Sequence, residues 1–314
     1  MSSGRELAGV APLPLATAVH SWLQKSTSME TRSNYQRDLQ QFLQFVGLDA
    51  SQLPEIRPHH VAAWRDDLLQ RGCGNSTVVR KLSVLRSLFR YLQTYGYLGA
   101  NPAHRDFVSA PAVPRDGKTV SLTPEECRIL LDGYAGHTPE EVRNRAMLAV
   151  LAYTGCRVGE ITQLRVNSLL NSGGHRLLEI YGKGGKERRV PLHPEAYERL
   201  EQWLICSGIA GDGTGPLFRP VSTARGGGSD GFLRKPLTRR AVQKMMERSL
   251  RKLGLNPQAS THSLRVTAIT TGRERGSDLI DLQDFAGHAD PRTTLTYVRN
   301  RNRLNQSPSY LLKY

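Results

Sequence analysis

Six side chains in the second half of the chain could together cleave a phosphodiester bond. In chain order they are Arg157, Lys183, His262, Arg265, His288 and Tyr297. The planar guanidinium groups of arginine donate paired hydrogen bonds to the non-bridging oxygens of a phosphate, so Arg157 and Arg265 form a natural clamp. His262 and Arg265 lie three residues apart, on one face of a helix that Thr261 could cap. We therefore expect both side chains to point at one phosphate.

The sequence around these residues resembles that of a known enzyme family. The first arginine and the lysine lie in Thr154-Gly155-Cys156-Arg157-Val158-Gly159-Glu160 and Gly182-Lys183-Gly184-Gly185-Lys186. The other residues follow in His262-Ser263-Leu264-Arg265, Gly287-His288 and Tyr297. In this order and spacing the chain resembles the tyrosine recombinases, also called the phage-integrase family, and most closely the Xer-type members. The resemblance extends over residues 15–314.

The resemblance implies how the phosphodiester would be broken. Tyr297, nine residues beyond His288, would be the nucleophile. Lys183 would be the general acid that protonates the departing 5′ oxygen, because a compact ammonium group can shift its pKa when it is desolvated. Lys186 stays open as a competitor for this role.

A tyrosine hydroxyl needs help before it can attack a phosphate. Its reference pKa is about 10, so only about a thousandth is phenolate at pH 7, a deficit of roughly 4 kcal/mol. His262 titrates near neutrality and is the side chain that we expect to take the proton or to orient the hydroxyl. His288 would add a further hydrogen bond. The resemblance to the family also implies that Glu160 orients Arg157.

No cofactor is expected for this reaction. Attack by tyrosine stores the energy of the broken bond in a 3′-phosphotyrosine link, so rejoining needs neither ATP nor a metal. The glycine-rich stretch around Lys183 does not match a nucleotide-binding P-loop, because no Ser or Thr follows Lys186. The cysteines and histidines show no metal-ligand spacing, so we predict no metal site.

The composition indicates a polyanionic partner. The chain carries 43 Lys and Arg residues against 28 Asp and Glu residues, a net charge of +15. Charge alone does not separate DNA from RNA or from an anionic membrane surface. Four scattered cysteines indicate free thiols in a reducing compartment, and no run of about 18 apolar residues is present. We therefore expect a cytoplasmic protein without a membrane partner.

The length of 314 residues is typical of two domains. We predict a flexible N-terminus over residues 1–14, an α-helical N-terminal core DNA-binding domain over residues 15–108, and a catalytic domain over residues 119–314. Residues 109–118 contain two prolines and a glycine and keep no apolar periodicity, which indicates a linker.

Local signals predict the elements that position the first half of the site. Thr123 and Thr138 each precede a Pro and two Glu residues, the pattern of a helix N-cap, and Gly155 is expected to end the second of these helices. Residues 176–192 alternate around a glycine-rich turn, so we predict a β-hairpin with Lys183 near its tip.

The second half of the site follows a stretch of weak structural signals. Residues 207–236 are rich in glycine and have few apolar anchors, so a long flexible loop is expected there. Asp290 and Pro291 form a helix-start signature, which places Tyr297 on a short helix.

Two helices present basic residues that we predict to contact DNA phosphates. In the helix that follows residues 75–77 these residues are Arg80, Lys81, Arg86 and Arg90. In the helix predicted over residues 238–253 they are Arg239, Arg240 and Lys244.

The expected fold is mainly α with a small antiparallel sheet, α+β in class, with the catalytic fold of the tyrosine recombinases. The resemblance further implies that two domains close as a C-shaped clamp on double-stranded DNA, at a recombination site with inverted half-sites. It also implies a Holliday-junction intermediate and a homotetramer on synapsed DNA, with a related recombinase subunit as the alternative partner.

One position departs from the Xer pattern. Val266 stands where those relatives usually place a second histidine after the His-x-x-Arg box. This favours a recombinase of a mobile element, acting in integration, excision or resolution. The alternatives are Xer-type resolution of chromosome or plasmid dimers and DNA relaxation by a type IB topoisomerase. A DNA-binding regulator is the non-enzymatic alternative, which the intact set of six residues disfavours.

Overall fold

The structure is a computed structural model that describes residues 14–113, 119–182, 185–221 and 231–298, apart from the side chains of residues 297 and 298. Residues 1–13, the linker positions 114–118, Lys183 and the chain beyond residue 298 lie outside the described residues. The chain divides into two units, Met1–Pro114 and Arg115–Tyr314. Each unit has a hydrophobic core of its own.

In its described residues, 14–113, the N-terminal unit is a bundle of four helices. They are α1 (Leu15–Gln24), α2 (Met29–Val46), α3 (Pro58–Gln70) and α4 (Asn75–Thr94), with a 3-10 turn at Ala50–Glu55. The other three helices all pack against α4, whose apolar stripe is buried as its spacing predicts. The stripe consists of Val78, Leu82, Leu85, Leu88, Phe89 and Leu92.

The basic face predicted on α4 is only partly a surface. Lys81 lies three residues after Val78 and four before Leu85, so helical periodicity places it within the apolar stripe. Its side chain is buried, and its Nζ donates to Oδ1 of Asp38 on α2 at 2.8 Å. The prediction that Lys81 belongs to a basic surface is therefore wrong.

The other three basic residues of α4 differ in exposure. Arg86 is half-buried, and it donates to the carbonyl oxygens of Ala103 at 2.9 Å and Val108 at 2.8 Å, which fixes the segment after α4 to the bundle. Arg80 and Arg90 are exposed. Contact between these two side chains and DNA phosphates stays a prediction.

The second unit consists of helices and a small sheet. The helices are α5 (Pro124–Asp132), α6 (Pro139–Thr154), α7 (Val158–Ile161), α8 (Pro194–Ser207), α9 (Arg239–Lys252), α10 (Thr261–Glu274), α11 (Leu279–Ala286) and α12 (Pro291–Val298). The centre is α6, in which residues 146–151 are all buried and which packs against α5, α8 and α10.

The predicted helix boundaries that lead into the site are confirmed. The Thr123 side chain accepts from the backbone N–H of Glu126, and the Glu126 side chain accepts from that of Thr123, so α5 begins with a capping box. The Thr138 side chain accepts from the backbone N–H of Glu141 and so caps α6. Gly155 ends α6 in the left-handed conformation, at a φ of 58°.

The sheet contains the predicted hairpin and one strand more. Its strands are β1 (Leu169–Ser172), β2 (His175–Tyr181) and β3 (Glu187–Pro191), antiparallel and in the order β1-β2-β3. The hairpin of β2 and β3 pairs Leu178 with Val190 and Ile180 with Arg188. Strand β1 was not predicted, because its four residues are too few to show an alternating pattern.

The long flexible loop expected over residues 207–236 is wrong for much of its length. Leu217 and Phe218 are buried in the core, and Nε1 of Trp203 donates to the carbonyl oxygen of Leu217 at 2.8 Å. Asp212 accepts from Arg234, which ties the two sides of the segment together. Residues 222–230 lie outside the described residues.

The predicted fold class is confirmed, since the described residues are mostly helical with a small antiparallel sheet. In the part of the chain that the structure describes, no helix combines the length and the apolar character needed to cross a membrane.

The contact between Lys81 and Asp38 gives a test of the N-terminal bundle. Asp38→Ala should lower the free energy of unfolding by about 3 to 5 kcal/mol, because it leaves a buried ammonium without its carboxylate and also removes the pair of Asp38 with Arg80. The control is Asp66→Ala, which removes an exposed pair with Arg65 and should cost less than about 1 kcal/mol. Urea unfolding followed by tryptophan fluorescence measures both variants, and equal losses would contradict a buried charge pair.

Candidate active site

The first arginine of the set stands at the turn between α6 and α7. Gly155 lets the chain reverse there, and a Cβ at this position would lie 2.9 Å from Cε1 of Phe285 on α11. Arg157 is the N-cap residue of α7, and its side chain is 40% exposed. Its guanidinium can therefore reach a ligand at the surface while its backbone is fixed.

Glu160 is a buried carboxylate that holds this arginine. Its Oε1 accepts from Nη1 of Arg157 at 2.7 Å, and its Oε2 accepts from the backbone N–H of Arg157 at 2.9 Å. Nη2 of Arg188 on β3 also donates to Oε2, at 2.7 Å. Burial raises the pKa of Glu160, but the two arginines outweigh that effect, so the pKa is lowered and Glu160 stays charged.

The second arginine of the set is enclosed. Arg265 lies on α10 and is only 1% exposed. Its Nη1 donates to the carbonyl oxygen of Gly155, and its Nη2 donates to that of Ala286 at the end of α11. Nη2 also lies 2.8 Å from Nε2 of His288. One guanidinium thus joins the ends of α6 and α11 to the second histidine.

These contacts assign the protonation state of His288. Arginine is always a donor, so Nε2 of His288 must accept, and the ring proton belongs on Nδ1. Nδ1 lies 2.8 Å from Oγ1 of Thr294 on α12, and this oxygen accepts a hydrogen bond from Nδ1–H. Burial and the positive charge of Arg265 lower the pKa of His288 to about 4, with a smaller contribution from Arg157. The imidazole is therefore neutral at pH 7.

His262 lies at the beginning of the same helix as Arg265. Helix α10 begins at Thr261 with Ser260 as its N-cap, so the predicted capping role of Thr261 is wrong by one residue. The imidazole of His262 reaches the surface. Partial desolvation and the charges of Arg265 and Arg157 lower its pKa. The neutral ring can accept a proton at pH 7, and both arginines lie within its electrostatic reach.

The two remaining residues of the set lie at the border of the described chain. The backbone of Tyr297 lies on α12, as predicted, three residues beyond Thr294, and this helix packs against α10 and α11. Lys183 lies outside the described residues, between Gly182 and Gly185. A Cβ at Gly182 would lie 3.6 Å from Oε1 of Glu160, so the hairpin tip begins beside the carboxylate.

The basic residues predicted on α9 are exposed, and one of them adjoins the site. The guanidinium of Arg239 lies over Gly159, where a Cβ would be 3.0 Å from Nη2. Gly159 therefore lets Arg239 approach α7 close to Arg157. Arg240 and Lys244 are exposed on α9. Their contact with DNA stays a prediction.

Sequence reasoning missed two residues of this cluster. Arg188 is in β3, two residues before the buried Val190, so strand alternation turns it toward the core, where a cation needs a partner. That pattern could have revealed it. Thr294 is fully buried, and only its place between His288 and Tyr297 could have drawn attention to it.

The arrangement is suited to a small anion. The guanidinium groups of Arg157, Arg188 and Arg265 lie within electrostatic reach of the neutral His288, and the buried carboxylate of Glu160 pairs with the first two. The excess of positive charge is one that a phosphate would balance. Among the residues that the structure describes, no group of His, Cys, Asp and Glu side chains is arranged to hold a metal ion.

Comparison with known proteins identifies the family. The profile described as the phage integrase family matches residues 121–303, and that of the phage integrase N-terminal SAM-like domain matches residues 20–96. The tyrosine recombinase XerC of Brucella suis biovar 1 (strain 1330) is 32% identical over 314 aligned positions, covering 95% of this chain and 94% of the relative. The XerC of Escherichia coli O127:H6 is 32% identical, with 88% and 87% covered.

This chain belongs to the phage integrase family. It is a tyrosine recombinase of the Xer type, which confirms the resemblance inferred from the motifs.

Solved structures share the fold at low identity. A lambda integrase dimer bound to a COC′ core site matches with a TM-score of 0.66 at 21% identity, covering 90% of this chain and 96% of that one. The Tn1549 transposon integrase in complex with circular intermediate DNA matches with a TM-score of 0.68 at 17% identity, covering 96% and 100%. The fold of this recombinase is therefore that of the integrases.

The His288 tautomer makes Thr294 testable. Thr294→Val keeps the buried volume but removes the acceptor of Nδ1–H, and an unsatisfied buried donor costs about 1 to 3 kcal/mol. Single-turnover DNA cleavage should therefore slow by about 5- to 100-fold, with DNA affinity unchanged. The control is Thr293→Val, which changes an exposed neighbour. Equal rates for the two variants would show that the tautomer contributes nothing.

Proposed function

We propose that this recombinase cuts one strand of a specific DNA site through Tyr297 and then passes that strand to a partner duplex. The observation that carries this proposal is the interlocked cluster of Arg157, Glu160, Arg265 and His288, joined through Thr294 to the helix that bears Tyr297. A DNA phosphate that enters the cluster would therefore meet preorganised hydrogen-bond donors beside a hydroxyl nucleophile.

The two arginines contribute in different ways. Arg157 is partly exposed and held by Glu160, so it can donate to a non-bridging oxygen of the scissile phosphate. Arg265 is buried and contacts two carbonyl oxygens and His288, so its position is fixed before the substrate binds. Charge that develops on the phosphate would find positive groups that need not reorganise, which is how such sites lower a barrier.

Proton transfer completes the reaction in the proposed mechanism. Neutral His262 takes the proton of the Tyr297 hydroxyl as the oxygen attacks phosphorus. The bond from phosphorus to the 5′ oxygen breaks, and Lys183 gives that oxygen a proton. The products are a 3′-phosphotyrosine and a free 5′ hydroxyl, and the reverse reaction with another strand rejoins the DNA without ATP.

Assembly on DNA is proposed from the charge of the chain and from its structural neighbours. A lambda integrase tetramer bound to a Holliday junction has the same fold, with a TM-score of 0.67 at 19% identity. By analogy, four copies of this chain would join two duplexes, each with inverted half-sites. The net charge of +15 supports extensive contact with phosphates, to which Arg90, Arg239 and Arg240 are proposed to contribute.

Two biological settings are supported by different observations. Val266, in place of the histidine usual in Xer relatives, supports the proposed role in a mobile element. The XerC relatives instead support resolution of chromosome or plasmid dimers. The DNA on either side of the encoding gene separates them, since a mobile element carries its inverted half-sites at its own ends.

Replacement of the nucleophile tests the proposed reaction. The half-site is first selected from a random duplex library by its binding to the protein. On a nicked suicide substrate with that site, the wild-type protein should form a covalent adduct, and Tyr297→Phe should form none while binding equally, because only the hydroxyl is lost. A regulator would form no adduct in either form. An adduct with Tyr297→Phe would assign the nucleophile elsewhere.

A sulfur substitution tests the general acid. Lys183→Ala should slow cleavage of ordinary DNA by about 10²- to 10⁴-fold, the usual contribution of a general acid. On a substrate whose bridging 5′ oxygen is sulfur, the rate should return close to that of the wild type, because a thiolate leaves without a proton. Lys186→Ala is the matched variant on the same hairpin. Rescue of Lys186→Ala instead would transfer the role to Lys186.

A further inference from the structure

Arg188 connects three segments that carry different parts of the site. It lies on β3 opposite Ile180, within the hairpin whose tip carries Lys183. Its Nη2 donates to Oε2 of Glu160 at 2.7 Å, and its Nε donates to the carbonyl oxygen of Phe285 at 3.1 Å. Glu160 lies 28 residues before Arg188 in the chain, and Phe285 lies 97 residues after it.

The side chain also packs against the residue that precedes His288. A Cβ at Gly287 would lie 3.1 Å from Cδ and 3.2 Å from Nη1 of Arg188, so the guanidinium lies directly on this backbone. The side chain is 11% exposed. The side chain is therefore largely enclosed, and its Nε and Nη2 already donate to protein oxygens.

The geometry requires an arginine. The Glu160 carboxylate and the Phe285 carbonyl lie in different directions from the side chain. A planar guanidinium can donate to both, because its N–H groups point in separate, fixed directions. A lysine ammonium is a single point on a flexible stem and cannot lie at both acceptors. At Gly182, just after β2, a Cβ would lie 3.9 Å from Nη1 of Arg188, so the guanidinium lies beside the start of the turn.

We propose that Arg188 is a positioning residue: it fixes the tip of the β2–β3 hairpin against the pair of Arg157 and Glu160, so that a lysine of the tip meets the departing 5′ oxygen. This inference rests on the proposed function. It assigns to Arg188 an effect on leaving-group protonation without contact with the DNA.

The adjacent arginine provides a matched control. Arg189 lies on the opposite face of β3, is 58% exposed, and pairs with Glu179 at 3.0 Å and Glu187 at 3.1 Å. Arg188→Met and Arg189→Met therefore remove the same side chain from neighbouring positions of one strand. Only the first removes contacts with the site.

The experiment compares single-turnover cleavage of two substrates that differ in the bridging 5′ atom, oxygen or sulfur. Arg188→Met should cleave the oxygen substrate about 30- to 100-fold more slowly than wild type, the scale of a misplaced catalytic group, and the sulfur substrate less than about threefold more slowly. Arg189→Met should stay within about twofold on both, and gel shifts should show equal DNA affinity. A merely structural role would slow both substrates equally.

A second variant covers the case in which Arg188→Met does not fold. Arg188→Lys keeps the positive charge beside Glu160 and should melt like the wild type. Its loss should again be confined to the oxygen substrate, and it should be smaller, at about tenfold. Equal loss on both substrates, or no loss, would overturn the proposal.

The outcomes also separate this inference from the proposed function. The ratio of the two rates for Arg188→Met measures positioning whichever lysine of the tip is the acid, whereas Lys183→Ala identifies the acid. A wild-type protein that forms no covalent adduct would overturn both.

Discussion

The site depends on one buried guanidinium. Arg265 donates to the carbonyl oxygens of Gly155 and Ala286, which lie at the C-terminal ends of α6 and α11. Its Nη2 also contacts His288. A helix end leaves carbonyl oxygens without partners, and a cation near it is favoured by the helix dipole. Two helix ends therefore stabilise the buried charge, and in return the charge fixes the turns that carry Arg157 and His288.

A cluster of cations must remain stable before a substrate binds. Arg157, Arg188 and Arg265 lie close enough to lower the pKa of His288 together, and Glu160 is the carboxylate that offsets them. Like charges disfavour one another in a partly desolvated site. Neutral histidines limit that repulsion, because neither adds a further charge at pH 7. A bound phosphate would neutralise the remaining positive charge, so the excess of cations favours substrate binding.

The sequence was informative wherever the cause of a structure is local. Thr123 and Thr138 cap their helices through residues three positions away, and the hairpin follows from alternation around glycines. Lys81 was misjudged because its partner Asp38 lies 43 residues earlier, and no local pattern shows that a lysine within an apolar stripe will find a carboxylate.

The site residues divide in the same way. Arg157, His262, Arg265 and His288 were predicted from their order and motifs, and the structure brings them together. Arg188 escaped because its partners lie 28 and 97 residues away along the chain.

Close approach of side chains to backbone sets the geometry of the cluster, and three glycines permit it. A Cβ would lie 3.0 Å from Nη2 of Arg239 at Gly159 and 3.1 Å from Cδ of Arg188 at Gly287. At Gly155 it would lie 2.9 Å from a ring carbon of Phe285. Gly155 and Gly287 also have positive φ, which other residues adopt only with strain. The glycines of the motifs are therefore part of the arginine site, since a side chain at any of them would displace a guanidinium or the helix end that holds one.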